Sequence, residues 1–144
     1  MKSSKMRMMI AAAALAVAAG VASAQTNTYK AEIPLAFRAG DKLMQPGAYD
    51  VRVSLGATGI AAVTIHNMDN NTTAVAIPTY GNDAPKQWRA AGKPVFAFEC
   101  AESHCMLRTL WTAKDLSTYR FPGHITTGSD KQVAELLVTL VKTE

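Results

Sequence analysis

Apolar and polar residues alternate with a period of two along most of this chain, the mark of strands that bury one face. Tyr29, Ala31, Ile33, Leu35 and Phe37 alternate with Lys30, Glu32, Pro34, Ala36 and Arg38. Pro34 has no N–H to give a ladder, so this strand is expected at an edge or with that residue turned away from its neighbour. AGDK and QPGAY then turn the chain, the Pro-Gly pair suiting a tight turn or a kink. Tyr49, Val51, Val53 and Leu55 give a second strand, Ile60 to His66 a third and Ala74 to Tyr80 a fourth, separated by GATG and NMDNNTT. GNDAPKQWRAAGKP is the longest irregular stretch, and TYRF is a short strand stopped by Pro122. At the C-terminus Val133, Leu136, Leu137, Leu140 and Val141 fit a helical stripe, while ELLVTLV also reads as a buried strand. A closing strand from about Leu136 is the preferred reading, since every other element is a strand and a last strand can cover an exposed edge. A helical turn opened by Ser129 or Asp130 can precede it.

The stretch around which these strands are organised is VFAFECAESHCMLRTLWT, Val95 to Thr112. It reads as a hairpin folded around AESH with Cys100 facing Cys105. That pairing sets Phe98 against Leu107, Phe96 against Thr109 and Val95 against Leu110. Phe96, Phe98, Cys100, Cys105 and Leu107 then share one apolar face. Ala97, Glu99, Met106 and Arg108 share the other, with Glu99 and Arg108 within reach of an ion pair. A Cys100–Cys105 disulfide closing so small a ring stabilises by only about 2 kcal/mol, so it pins register rather than making the fold. The expected architecture is all-β: one antiparallel sandwich or small barrel of about seven to eight strands.

Composition changes this picture at the N-terminus. Lys2, Lys5 and Arg7 precede the apolar run MMIAAAALAVAAGVA, and Ala22-Ser23-Ala24 is a small-residue cleavage site. Residues 1–24 read as a secretory signal peptide, leaving residues 25–144 as a single domain with no membrane span. The chain holds 15 Lys and Arg against 11 Asp and Glu, but three of those bases lie in the leader. The mature domain is close to neutral, which gives no footprint for nucleic acid. Export places it in the periplasm or outside the cell, where two cysteines form a bridge.

IPLAFRAGDKLMQPGAYDVRV, followed by LRTLW, resembles a group of short exported bacterial proteins of uncharacterised function. Their pattern is an apolar-Pro-apolar-x-Phe strand, a Gly-containing turn, then a Pro- and Gly-containing turn leading to Tyr-x-Val. Here Pro46 adjoins Gly47, where the group commonly has one residue between, and the segment after Pro122 lacks the group's basic stretch. The resemblance implies a secreted all-β domain and carries no activity with it.

Candidate chemistry is sparse. Cys100, His104 and Cys105 offer a metal or redox reading, but such sites usually space their cysteines more closely, and this spacing suits a hairpin bridge. His66, His104 and His124 share no ligand-spaced motif. There is no nucleophile elbow or phosphate loop. Glu99 and Glu102 read as a solvated hairpin tip, and the sequons at Asn70 and Asn71 as turn residues. Trp88 in the long loop either folds back as a lid on the sheet or, flanked by Lys86, Arg89 and Lys93, is an aromatic contact for a partner.

The expected function is therefore a non-catalytic exported β-domain acting by binding or as an envelope component, without a cofactor. Its partner is an envelope or extracellular ligand or protein, and the domain is a monomer or weakly self-associating. One alternative is a small metal or redox protein or enzyme using the Cys100/His104/Cys105 hairpin. Another is a surface subunit that assembles by adding TYKAEIPLAF to a neighbour's sheet. If successive strands reverse, the turns near 39–47, 67–73 and 101–104 share one end. The loops 56–59, 81–94 and 113–117 share the other, the end expected to meet a partner.

Overall fold

Prolines mark three of the places where this chain leaves one sheet for the other. A computed structural model describes residues 25–102, 104–123 and 133–143. The expected leader, His124 and the helical turn at Ser129 or Asp130 lie outside the described residues. β1 (Gln25–Ile33) stops one residue before Pro34, and β2 (Phe37–Ala39) continues in the opposite sheet. β3 (Lys42–Met44) pairs with β2, and Pro46 precedes the return to the first sheet as β4 (Gly47–Leu55). β5 (Ala61–Asn67) and β6 (Thr73–Ala76) follow, and Pro78 marks the crossing to β7 (Thr79–Asp83). A residue without an N–H cannot extend a ladder, so these three crossings fall where pairing must lapse. After the short helix α1 (Lys86–Ala91) come β8 (Val95–Ala101), β9 (His104–Trp111) and β10 (Ser117–Arg120). The C-terminal stretch is extended, not helical. β11 (Ala134–Thr139) lies in one sheet and β12 (Val141–Thr143) in the other, with buried Leu140 at the crossing.

The result is two sheets packed face to face. One has the order β12-β1-β4-β5-β6, the other β11-β8-β9-β10-β7, with β2 joined to β9 by a single parallel pair at Arg38 and Met106. Among the described residues twelve strands replace the expected seven or eight, because β2, β3, β7 and β12 are short pieces made by the crossings. As expected, the last strand covers an edge: β12 pairs with β1. The strand proposed for addition to a neighbour is held within its own sheet by β4 and β12.

The hairpin holds the predicted disulfide, with Cys100 bonded to Cys105, and pairs Phe98 with Leu107 as expected. Beyond that point the register departs from the expected one. Ala97 meets Thr109, Phe96 meets Leu110 and Val95 meets Trp111, with a shift between Ala97 and Phe98. Arg108 is the extra residue of a β-bulge, and its carbonyl accepts the Phe121 N–H at 2.8 Å instead. Its guanidinium donates to the Phe121 carbonyl at 2.5 Å and lies 3.4 Å from the Glu99 carboxylate, the expected ion pair. The bulge turns Leu110 inward beside Leu107, so both are buried although three residues apart.

The main core fills the space between the sheets. Phe37 and Phe98 meet edge to face at 5.0 Å between centroids, with Tyr49 at 5.5 Å from Phe37 and Phe96 at 6.0 Å from Phe98. Ile33, Met44, Ile65, Leu107, Leu110 and Leu140 complete it. β8 is buried on both faces, since Val95 and Ala97 belong to a second cluster on the outer side, with Ala84, Trp88 and Trp111.

Burial pushes the Tyr29 hydroxyl above its ordinary value of 10.0, with Tyr119 adding to the shift. Tyr49 moves the same way for the same chief reason. A group raised in the folded state stabilises below its unfolded pKa and loses that contribution as pH climbs through its folded one. Stability should therefore hold level up to about pH 10 on this account and fall above it. Urea midpoints between pH 8 and 11.5, compared with those of Tyr29→Phe, check this: the variant's alkaline fall should be shallower.

Candidate binding surface at the loop end

Five contacts gather the loops into the two ends that strand reversal predicts. The Tyr80 hydroxyl donates to the Gly59 carbonyl, the Lys114 ammonium to Asn27 Oδ1, and the Ala84 N–H to the Leu116 carbonyl. Loops 56–59, 81–94 and 113–117 thus share one end. At the other, the Lys42 ammonium donates to the Thr73 carbonyl and β2 reaches Met106 beside the disulfide.

At the loop end the long stretch 81–94 is not irregular. Its first residues finish β7, and Lys86–Ala91 forms α1, closed by Gly92 at φ 68° donating to the Trp88 carbonyl. Trp88 is only 9 % exposed and packs on Val95, Ala97 and Trp111. Of the two readings of this ring, the structure takes the lid. Arg89, Lys86 and Lys93 remain exposed around it, but without an exposed indole among them. Trp88→Ala should cost about 3 kcal/mol, a core-truncation penalty, read as a lowered urea midpoint.

The exposed aromatic lies two strands away. β7 and β10 pair antiparallel with Tyr80 opposite Tyr119, and their rings lie 5.5 Å apart at 34°. Tyr80 is 64 % exposed, whereas Tyr119 is half-buried against the main core. Burial raises the Tyr119 hydroxyl's pKa first, with Tyr80 and Asp115 adding to it. A groove runs beside the pair, lined by both tyrosines, Lys114, Asp115, Leu116 and Ser117. Its far wall is held rigidly: the Asp115 carbonyl accepts Trp111 Nε1–H at 2.7 Å and the Leu116 carbonyl accepts Ala84 N–H at 2.8 Å. Thr118 Oγ1 donates across to the Asn82 carbonyl at 2.8 Å, a path open because Gly81 has no side chain: a Cβ there would lie 2.6 Å from that oxygen. Leu116 and Ile60, both more than half exposed, extend the apolar surface.

Comparison with family models, curated proteins and solved structures finds no match to this chain.

Charge is uneven at this end. Lys86, Arg89, Lys93 and Lys114 outnumber Asp83 and Asp115. Lys114 sits beside Lys142, and its ammonium titrates below its ordinary value through lost hydration first and this neighbour next. The arrangement offers an aromatic face, a short apolar rim and surplus positive charge.

The opposite end offers less. Cys100 and Cys105 spend their sulfurs on each other, so neither is a thiolate for a metal, and His104 stands exposed beside them. Among the described residues no three His, Cys, Asp or Glu side chains gather for a metal ion. His66 Nδ1 lies 2.7 Å from Thr73 Oγ1 on a polar sheet face with Asp50 and Arg52. Asn70 and Asn71 serve the 67–73 turn, the first accepting the Thr72 N–H and the second adopting φ 59°. The sequence reading missed Tyr80 and Tyr119. Both read as strand residues, in Ala74 to Tyr80 and in TYRF, but their pairing depends on a topology that alternation does not encode.

Proposed function

We propose that this is a non-catalytic exported β-domain that works by binding in the cell envelope, and that it meets its partner through the loop end around Tyr80. One observation carries the reading: an exposed tyrosine, backed by a second ring and held on two paired strands, opens onto a groove with an apolar rim and excess cations. Large rigid aromatics beside apolar contacts make interface anchors, because burying them costs little side-chain entropy. The surplus of lysine and arginine favours a partner surface bearing negative charge. The disulfide supports export, and no helix among the described residues is long and apolar enough to cross a membrane.

Tyr80→Ala should weaken partner capture from an envelope fraction by about tenfold or more, the usual scale for losing an anchor. Its melting temperature should stay close to the parent's, since the ring is mostly exposed. Lys114→Glu should weaken capture further at low salt than at high salt. Undiminished capture by both variants would refute the assignment of this end.

A further inference from the structure

Every sheet edge invites another strand unless something blocks it. β12 is three residues long and carries Lys142. β6 is four residues long, is followed by Pro78, and has Lys42 reaching over to the Thr73 carbonyl. β7 ends on Asp83, and its pairing with β10 is broken by a register shift. β11 differs from all three. It runs for six residues, AELLVT, with neither lysine nor proline, and among the described residues no strand pairs with its outer edge.

The sandwich is also open at this place. The chain leaves β11 for the other sheet at Leu140, so β12 covers β1 only at Thr28, Tyr29 and Lys30. Beyond Lys30 the two sheets part, and a groove lies between them, lined by Ala31, Glu32, Pro34, Tyr49, Met68 and Val138 among others. β11 reaches the groove through Leu137, Val138 and Thr139, and Leu136, two residues before buried Val138, is 38 % exposed. Tyr49 and Val138 belong to the main core, so a side chain entering the groove would touch that core.

Charge indicates what fits. Glu135 stands directly opposite Glu99 on β8, and Glu99 is paired with Arg108. Like charges facing across a ladder destabilise it, and Glu135 lacks a counter-charge among the described residues. A second copy of β11 would not supply one, since its only charged residue is again Glu135.

We infer that β11 is a strand-addition site for an extended segment of another protein, in which apolar residues alternate with basic ones. The apolar side chains enter the groove beside Val138, the basic ones face Glu135, and the backbone completes the ladder on the free edge. This surface is separate from the loop end.

The test uses a labelled, N-acetylated hexapeptide alternating valine and lysine, titrated into the disulfide-bonded protein by fluorescence anisotropy. It should bind at least tenfold tighter than the same peptide with glutamate for lysine. N-methylation of the amides on one edge should abolish binding, and amide exchange at Glu135–Val138 should slow in the complex. Glu135→Lys should reverse the preference between the two peptides while leaving the melting temperature near the parent's. Equal binding of the N-methylated peptide would overturn the proposal, as would an unchanged preference in the variant. So would a protein that binds neither peptide, whether because its own chain or a second copy already covers the edge.

Discussion

Phe98→Ala should lower the free energy of unfolding by about 4 kcal/mol, the largest loss expected from any single truncation in this domain. Phe98 is fully buried and stands at the junction of three rings, 5.0 Å from Phe37 and 6.0 Å from Phe96. It is also the last residue of the hairpin to keep the register that the disulfide imposes, before the bulge. Removing it empties a space that two facing sheets cannot close by local relaxation, so the cavity cost adds to the lost transfer energy. A domain of this size is stable by roughly 5–15 kcal/mol, so this one change removes between about a quarter and most of it. Urea titration followed by tryptophan fluorescence measures it. A loss below about 1.5 kcal/mol would mean that the core is not centred here.

The second large effect comes from a polar residue. Asn67 is fully buried at the end of β5, and its side chain organises the turn that follows. Its Nδ2 donates to the Gln45 carbonyl at 3.1 Å, while Oδ1 accepts the N–H groups of Asp69 at 2.8 Å and Asn70 at 3.2 Å. Asp69 is thereby set to accept the Ala48 N–H at 3.1 Å, close against Gly47, where a Cβ would lie 2.4 Å from its carboxylate oxygen. Asn67→Ala would leave three backbone groups without these partners and should cost about 3 kcal/mol. Asn67→Asp keeps the acceptors and loses the donor, setting a carboxylate against a carbonyl, and should cost nearly as much. Amide exchange at residues 67–73 should accelerate in both variants beyond what the global loss accounts for.

Much of the fold was legible because alternation is a local property. Tyr29, Ala31 and Ile33 on β1 and Val51 and Val53 on β4 face the core as their spacing requires. The bulge at Arg108 was not read, although its trace is present: Leu107 and Leu110 are three residues apart, and a regular strand cannot bury both on one face. The second cluster had a trace as well. VFAF has no polar position, which is how a strand covered on both faces looks. What covers it, α1, spans six residues and is too short to show a helical period. Trp88 therefore stood between two readings that only packing could separate.

The candidate site was less legible than the fold. Tyr80 and Tyr119 are 39 residues apart and meet because β7 joins the sheet beyond β10, a pairing between non-consecutive strands. Sequence reasoning chose the loop end through strand reversal, and there named the aromatic that the helix folds inward. Lys114 was placed at that end as well, but its closeness to Lys142 depends on the last strand crossing between sheets at Leu140.

That a partner meets the loop end is tested most directly by placing a photo-crosslinking amino acid at single positions in the full chain and irradiating intact cells. The account predicts one discrete adduct from positions 80 and 116, weakened by Lys114→Glu, and none from positions 66 and 104. Adducts from position 66 or 104 with silence at 80 and 116 would contradict it.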